Sequence, residues 1–391
     1  MKQAIVLAAG EGQRLRPFTV TRPKGMISIA DKPILQYVVE ALAQNGIRRI
    51  VLVVGYRKEL IYDYLGTGER FGIDITYVTQ EAQLGTSHAL LQARQEADDE
   101  FLVLPGDNLI GADTIAGFID MGPEAILVKR VANPVRYGVV AVEGAEVQGI
   151  VEKPKEAGSN LVNTGIYAFT SEIFKFAESV LDIPDALNGM LAAGRTIRAV
   201  ETEGTWLDVV YPWDILSLNG AVLGGLKASC GGTVESGVYL KGEVVVGEGT
   251  LIRSGSYILG PAVIGSGCEI GPNVCIMPAT SIGDNVVIAS FTEIRNSVID
   301  DDVNIGAGGI ISDSVIGRGC VIKGRFTAGS GQSEVDVNGE GPLVNVGAMM
   351  GEDCRLESSV VARPGVIVGN GCQVQAAKVI SGWLPDRSLV Y

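Results

Sequence analysis

The chain has 391 residues, of which 47% are apolar, only 6% are aromatic and 52 are glycine, with a formal net charge of −14. That length exceeds what one ordinary core organises, so two domains are expected. The acidic balance argues against non-specific binding to nucleic acid or an anionic membrane, and with no N-terminal signal pattern and no apolar run of roughly 18 residues the chain is expected to be soluble and cytoplasmic. All six cysteines, Cys230, Cys268, Cys275, Cys320, Cys354 and Cys372, lie in the second half without a Cys-x-x-Cys pair, and read as small structural residues. A single histidine, His88, removes most Ser-His-Asp, Cys-His and histidine-zinc schemes. Chemistry here must run on carboxylates, lysine and arginine.

The apolar run Ala4–Ala9 fits a buried parallel strand, and Gly10-Glu11-Gly12 turns the chain without side-chain bulk, so that backbone N–H groups can approach a phosphate. Through residue 33 the chain carries six basic residues (Lys2, Arg14, Arg16, Arg22, Lys24, Lys32) and two acidic ones (Glu11, Asp31), a net of 6 − 2 = +4. The dinucleotide fingerprint would need a third glycine at Leu15, and the P-loop would need Gly-Lys-Ser/Thr, so neither applies. A helix over 33–45 stopped by Gly46, a strand over 48–55, a helix over 58–65, a strand over 73–78, a helix over 86–96 and a strand over 100–104 follow. This alternation predicts an α/β domain with a mostly parallel sheet, helices on both faces and ligands at the carboxyl ends of the strands. Asp107 stands at one such end, and Asp208 follows in Thr205-Trp-Leu-Asp-Val.

A helix from Tyr211 to about Lys227 and a Gly/Ser-rich stretch to Gly242 set the expected boundaries at 1–226, 227–242 (a linker) and 243–391. Beyond them, Val246, Ile252, Ile258, Ile264, Ile270, Ile276, Ile282, Ile288 and Ile294 recur every six residues, and Gly247, Gly265 and Gly283 every eighteen. Three such short strands close one triangular coil, which predicts a parallel β-helix and accounts for the glycine content. The spacing slips by one at Ile299 and Ile316 and resumes as Leu356, Ala362, Val368, Val374 and Ile380, while Lys323–Val346 reads as an excursion.

The opening Gly-x-Gly-x-Arg-Leu-x-Pro-x-Thr, followed by Pro23-Lys24, resembles that of the sugar-1-phosphate nucleotidyltransferases, and the likeness extends over the first 215 residues at six places. It implies a Rossmann-like nucleotidyltransferase domain in which Leu7, Ala8, Ala9, Gly10 and Gly12 bind the nucleotide. Arg14 and Lys24 would neutralise its phosphates and the leaving pyrophosphate. Asp107 and Asp208 match the family's metal positions, for which Mg²⁺ suits an oxygen-only ligand set. The stretch Thr79–Ala89 is similar to the base pocket of uridylyl- and thymidylyltransferases, with Gln80, Gly85 and Thr86 on the nucleotide. A glutamine amide complements uracil or thymine, whereas guanine calls for a carboxylate, and Glu81 stands next door. His88 reads as a packing residue. Tyr137-Gly138-Val139, Glu152-Lys153-Pro154 and Asn163-Thr164-Gly165-Ile166 resemble the sugar side, with Gly138, Glu152 and Asn163 on the sugar and Lys153 bridging the reacting phosphates.

The reaction implied is transfer of a nucleotidyl group from UTP or dTTP to glucose-1-phosphate or N-acetylglucosamine-1-phosphate, without a covalent intermediate. The second half resembles left-handed hexapeptide β-helices, which implies a homo-oligomer, a trimer or a dimer of trimers. Bifunctional relatives also acetylate glucosamine-1-phosphate in such a domain, using a histidine base and a basic run. This helix has no histidine, and Gly341–Asn345 stands where the basic run is expected, so Lys323, Arg325 and Asn345 are the residues to test there. A GTP:mannose-1-phosphate enzyme and a non-catalytic regulatory subunit remain the other readings.

Overall fold

The apolar run near the start of the chain forms strand β1 (Gln3–Ala8), which pairs in parallel with β2 (Arg49–Val54) on one side and β4 (Glu100–Pro105) on the other, and β2 pairs with β3 (Asp74–Thr79). Helices α1 (Ile34–Gln44), α2 (Lys58–Leu65) and α3 (Thr86–Gln92) make the crossovers. After β5 (Asn108–Ile110) and α4 (Ala112–Ile119) come β6 (Ala125–Arg130), the hairpin β7 (Gly138–Glu143) and β8 (Glu146–Glu152), and β9 (Leu161–Thr170). Helices α5 (Ile173–Ala177) and α6 (Ile183–Ala192) and strands β10 (Arg198–Glu201) and β11 (Trp206–Asp208) complete the first half.

The sheet order is β3-β2-β1-β4-β9-β6-β10-β8-β7. The parallel run that starts at β3 stops at β4, because β9 runs antiparallel to both β4 and β6; parallel pairing returns between β6 and β10, and a two-residue turn with Gly144 at φ +61° reverses β7 into β8. Side chains alternate across β1: Ala4 and Val6 pack on one face with Leu35, Val38 and Phe118 of α1 and α4, and Ile5 packs on the other with Leu90, Phe174 and Leu187 of α3, α5 and α6. Both faces of the sheet are thereby covered, which is why its strands read as continuous apolar runs.

The computed structural model describes residues 1–337, 339 and 341–391. They divide into two compact units, one of Met1–Glu11, Arg22–Met26 and Pro33–Asp208, the other of Gly12–Thr21, Ile27–Lys32 and Val209–Tyr391. The second unit is a parallel β-helix of three sheets which, among the described residues, hold nine, nine and eight strands. One stack of core residues runs Ile252, Ile270, Ile288, Ile305, Ile322, Leu356 and Val374, each paired with the next coil. The six-residue period therefore marks inward positions, every one of these being at most 1% exposed.

Two needs account for the glycine content. Gly249 and Gly267 take φ of +71° and +68° at a corner where Asn285 and Asp302 follow in later coils. Gly247, Gly265 and Gly283 lack that conformation, but a Cβ on Gly265 would lie 2.6 Å from the carbonyl carbon of Gly283, so coil-to-coil approach excludes a side chain. The one-residue slips at Ile299 and Ile316 both fall at the corner from the third sheet to the first, and the excursion, entered after Ala328 and left before Met350, leaves from that same corner. It contains an antiparallel hairpin of Gly331–Glu334 with Leu343–Val346, and Asn338 and Glu340 lie outside the described residues.

The stretch 227–242, expected to be a linker, carries Ser229–Cys230, Thr233–Val234 and Tyr239–Lys241, which pair with the three strands of the following coil. As a terminal coil it has a partner on one side only, so it keeps a polar composition that sequence cannot tell from a linker. The cysteines take structural places: Cys268, Cys320, Cys354 and Cys372 recur at one corner, and each thiol donates to a carbonyl of the adjoining coil at 3.1 Å. Helix α7 (Asp214–Leu223) is tied to the same unit through buried Asn219, which accepts from Ala30 N and Ser281 Oγ and donates to Ala279 O.

In this unit the carboxyls of Asp31, Asp284 and Asp301 lie within 4.8 Å of one another. Burial, and then the charges of Asp284, Asp301 and Asp300, push the Asp31 carboxyl up to about 6. A carboxyl raised in the folded state contributes stability that is full below the unfolded pKa of about 4 and is lost as pH rises through 6. Asp31→Asn is therefore expected to melt higher than the parent protein at pH 7 and to lose that advantage at pH 4, as read by thermal melts at both values.

Candidate active site

Asp107 and Asp208 stand 101 positions apart and are brought together by a short ladder. Strands β5 and β11 pair antiparallel, with Trp206 opposite Ile110 and Asp208 opposite Asn108. Asn108 is 6% exposed, and with its amide oriented as its neighbours require it donates to Asp107 Oδ1 at 3.1 Å and accepts from Trp206 Nε1. Trp206 also donates to Thr164 O at 3.0 Å, which ties the ladder to β9.

Lys24 arrives from the other side. A Cβ on Gly25 would lie 2.7 Å from Gly106 O, and one on Gly106 would lie 2.8 Å from Ala8 Cβ, so two glycines let these backbones close up. The Lys24 ammonium then sits 2.7 Å from Asp107 Oδ2 and 3.0 Å from Asp208 Oδ1. Burial alone would lower its pKa, but the two carboxylates outweigh burial and hold it above the usual lysine range. Two carboxylates this close to one cation are also a pair that could hold a divalent metal.

Next to this trio lies a cavity of about 340 Å³ at the carboxyl ends of β1, β3 and β4, lined by Leu7, Ala9, Gly10, Gln80, Gly85 and Thr86, with Asp107 and Tyr167 also on its wall. Among the residues expected to hold a nucleotide, these six come together, and Ala8 is buried in the same strand. Gly12 and Arg14 fall in the segment Gly12–Thr21 of the second unit, Gly12 with φ +72° before a short 3₁₀ turn over Gln13–Leu15.

Of the residues expected to hold the sugar, Gly138 and Glu152 face each other across the β7–β8 hairpin. A Cβ at Gly138 would lie 2.7 Å from Glu152 Oε2 and 3.6 Å from Asn163 Cβ, so the glycine keeps the space between these two side chains open. Asn163 donates to Tyr167 Oη at 2.7 Å and accepts from Gly165 N at 3.0 Å, at the place where β9 slips register against β6. Such a bulge re-aims side chains beside a site. Lys153 has φ +43° and an exposed side chain 3.7 Å from Glu152 Oε1.

Tyr167 and Asp182 were not singled out from sequence. Burial pushes the Tyr167 phenol up, against the lowering effect of the hydrogen bond with Asn163. Asp182 Oδ1 accepts from both Thr86 N and Thr86 Oγ1, and Thr86 Oγ1 in turn accepts from Ile183 N, so the start of α6 is fastened to the start of α3. An aspartate followed by Ile-Pro is a helix-start signal, but nothing in the sequence shows that its carboxylate serves Thr86, 96 residues away, and makes no capping bond to its own helix.

A family model described as nucleotidyl transferase matches residues 3–223, and one described as the GMPPB C-terminal domain matches residues 258–330. The bifunctional protein GlmU of Methanococcus maripaludis (strain C5) is 36% identical, covering 99% of this chain and 97% of its own. A bifunctional sugar-1-phosphate nucleotidylyltransferase/acetyltransferase of Sulfurisphaera tokodaii is 34% identical over 97% of each chain. Among solved structures, a putative glucose-1-phosphate thymidylyltransferase from Bacillus anthracis superimposes with a TM-score of 0.54 at 27% identity, covering 58% of this chain and 97% of that one. With the sheet, the ladder and the acidic pair in the same stretch that these proteins share, the chain belongs to the nucleotidyl transferase family, among its sugar-1-phosphate nucleotidyltransferases.

Proposed function

We propose that this protein transfers a uridylyl or thymidylyl group from UTP or dTTP to glucose-1-phosphate or N-acetylglucosamine-1-phosphate and releases pyrophosphate. The observation that carries the reading is the Lys24 ammonium held between Asp107 and Asp208 beside a cavity that contains Gln80 and the β1 turn. A phosphate oxygen of the sugar phosphate attacks the α-phosphorus in line, the new P–O bond forms as the bond to the β-phosphate oxygen breaks, and pyrophosphate departs with the electron pair. Little covalent work is left to the protein, so its residues act by position and charge.

Leu7, Ala8, Ala9, Gly10 and Gly12 present backbone to the triphosphate, and Gln80, Gly85 and Thr86 hold the base. Lys24 and Arg14 neutralise the phosphates that leave, Lys153 guides the attacking phosphate, and Gly138, Glu152 and Asn163 hold the sugar. Asp107 and Asp208 offer the oxygen ligands that Mg²⁺ prefers, and when bound there the ion supplies charge neutralisation across the triphosphate. The same reading includes domains at 1–226 and 243–391, the second now extended by the coil at 227–242, a cytoplasmic location and assembly as a homo-oligomer, a trimer or a dimer of trimers. Among the described residues, no helix is long and apolar enough to cross a membrane.

Asp208→Ala is expected to fold normally and to release pyrophosphate about 10²–10³-fold more slowly, as expected for loss of a group that stabilises transition-state charge. Near-parental activity would remove Asp208 from the assignment. A panel of UTP, dTTP, GTP and CTP against several sugar phosphates fixes the substrates. The Sulfurisphaera tokodaii relative, a bifunctional nucleotidylyltransferase/acetyltransferase that aligns over 97% of its length, favours a second activity, acetyl transfer in the β-helix. Against it stands the lack of histidine there, and acetyl-CoA with glucosamine-1-phosphate tests it directly.

A further inference from the structure

His88, the single histidine of the chain, lies on α3 and touches the residue assigned to the base. Gln80 is 4% exposed and lines the cavity. Its Nε2 donates to Gly85 O at 3.2 Å and lies 2.9 Å from His88 Nδ1. A carbonyl oxygen only accepts, so the contact with Gly85 fixes which end of the amide is nitrogen. The same nitrogen then offers its second hydrogen to His88 Nδ1, and Nδ1 has to be the unprotonated atom of a neutral ring whose proton is on Nε2. Gln92 Nε2 donates to His88 O at 3.1 Å, which fixes that end of its amide as nitrogen, and it stands 3.3 Å from His88 Nε2; with Nε2 of the ring protonated both atoms are donors, so that longer approach is not a hydrogen bond, and the shorter contact at Nδ1 sets the tautomer.

With both N–H groups of the Gln80 amide engaged, Oε1 is the atom left for a ligand. We propose that His88, through Nδ1, is a positioning residue that holds the Gln80 amide with its oxygen toward the base, and so sets the preference for UTP or dTTP over CTP. N3 of uracil and thymine carries a hydrogen and donates to such an oxygen; N3 of cytosine is an acceptor and meets it lone pair to lone pair. Without His88 one anchor of the amide is gone, and rotation about its last bond presents Nε2, which suits cytosine. This inference rests on Gln80 reading the base, and its tests separate the two.

Because the chain has one histidine, long-range ¹H–¹⁵N spectra of the uniformly labelled protein report its tautomer without assignment. An unprotonated Nδ1 with a protonated Nε2 is expected, and the opposite tautomer overturns the proposal. In parallel, kcat/KM for UTP and for CTP is measured with one sugar phosphate. His88→Leu, which has no acceptor, is expected to lower the UTP/CTP ratio about tenfold, mainly through KM, with kcat for UTP within about twofold. His88→Asn, whose Oδ1 can take the place of Nδ1, is expected to keep the parental ratio. An unchanged ratio in His88→Leu while Gln80→Leu loses discrimination overturns the role of His88 alone. An unchanged ratio in Gln80→Leu removes Gln80 from base recognition and the proposal with it.

Discussion

Lys24→Met is expected to release pyrophosphate about 10²–10³-fold more slowly than the parent protein, because on the proposed reading it deletes the charge that neutralises the departing phosphates. A second readout separates this from simple misfolding. The methionine leaves Asp107 and Asp208 side by side without the ammonium that lies 2.7 and 3.0 Å from them. The metal-free variant should therefore lose roughly 1–3 kcal/mol of stability, less than for a fully enclosed pair because Asp107 is partly exposed. Titration with Mn²⁺, followed by electron paramagnetic resonance without nucleotide, should show tighter binding in the variant, since no lysine competes for the carboxylates. Unaltered Mn²⁺ binding would mean that the ion does not use this pair.

The stability that Lys24 contributes should also be flat with pH over the working range. Its pKa is raised in the folded state, so its contribution is fully present below the unfolded value of about 10.4 and is lost only as pH rises through the folded value. The stability difference between parent and variant at pH 6 should accordingly match that at pH 9.

The second large effect concerns the β-helix. Ile288 is fully buried, midway along the stack that joins Ile270 to Ile305. Ile288→Asp would place a carboxylate in a column of aliphatic side chains with no hydrogen-bond partner, and the folded second unit is expected to be lost, with aggregation on expression. Val287, its neighbour in the same strand, faces outward at 36% exposure, and Val287→Asp should fold with a melting temperature close to the parent's. Each coil of a solenoid is stabilised by its neighbours, so the aspartate interrupts packing on two sides at once. Circular dichroism and melting of the two proteins provide the comparison.

The β-helix was legible because its period repeats, and even the slips at Ile299 and Ile316 were visible as counts. The alternating helices and strands of the first half were equally open, with α2 at Lys58–Leu65 matching its expected limits. What the sequence withheld was antiparallel closure. Nothing local in Leu161–Thr170 shows that β9 inserts between β4 and β6, since a buried strand reads the same in either direction. The same limit hid the use of Asp182, which serves a helix far away in the chain. Asp107 and Asp208 were found by motif, but their convergence depends on the β5–β11 ladder, whose strands are three residues each and too short for a periodicity signal. His88 looked like packing because its partner is an amide on a preceding loop.

The corner between the third and first sheets has a bearing on how the molecule can change length. Both one-residue deletions and the hairpin excursion are absorbed there, and Ile316 still pairs with Met350 and Ile322 with Leu356 beyond them. Such a corner works as an expansion joint: residues can be added or removed at one edge of the prism while every strand above keeps its register. Foreign segments added to the existing excursion between Ala328 and Met350 should be tolerated, whereas the same graft at Gly249 or Gly267 would disturb a corner that keeps its residue count from coil to coil.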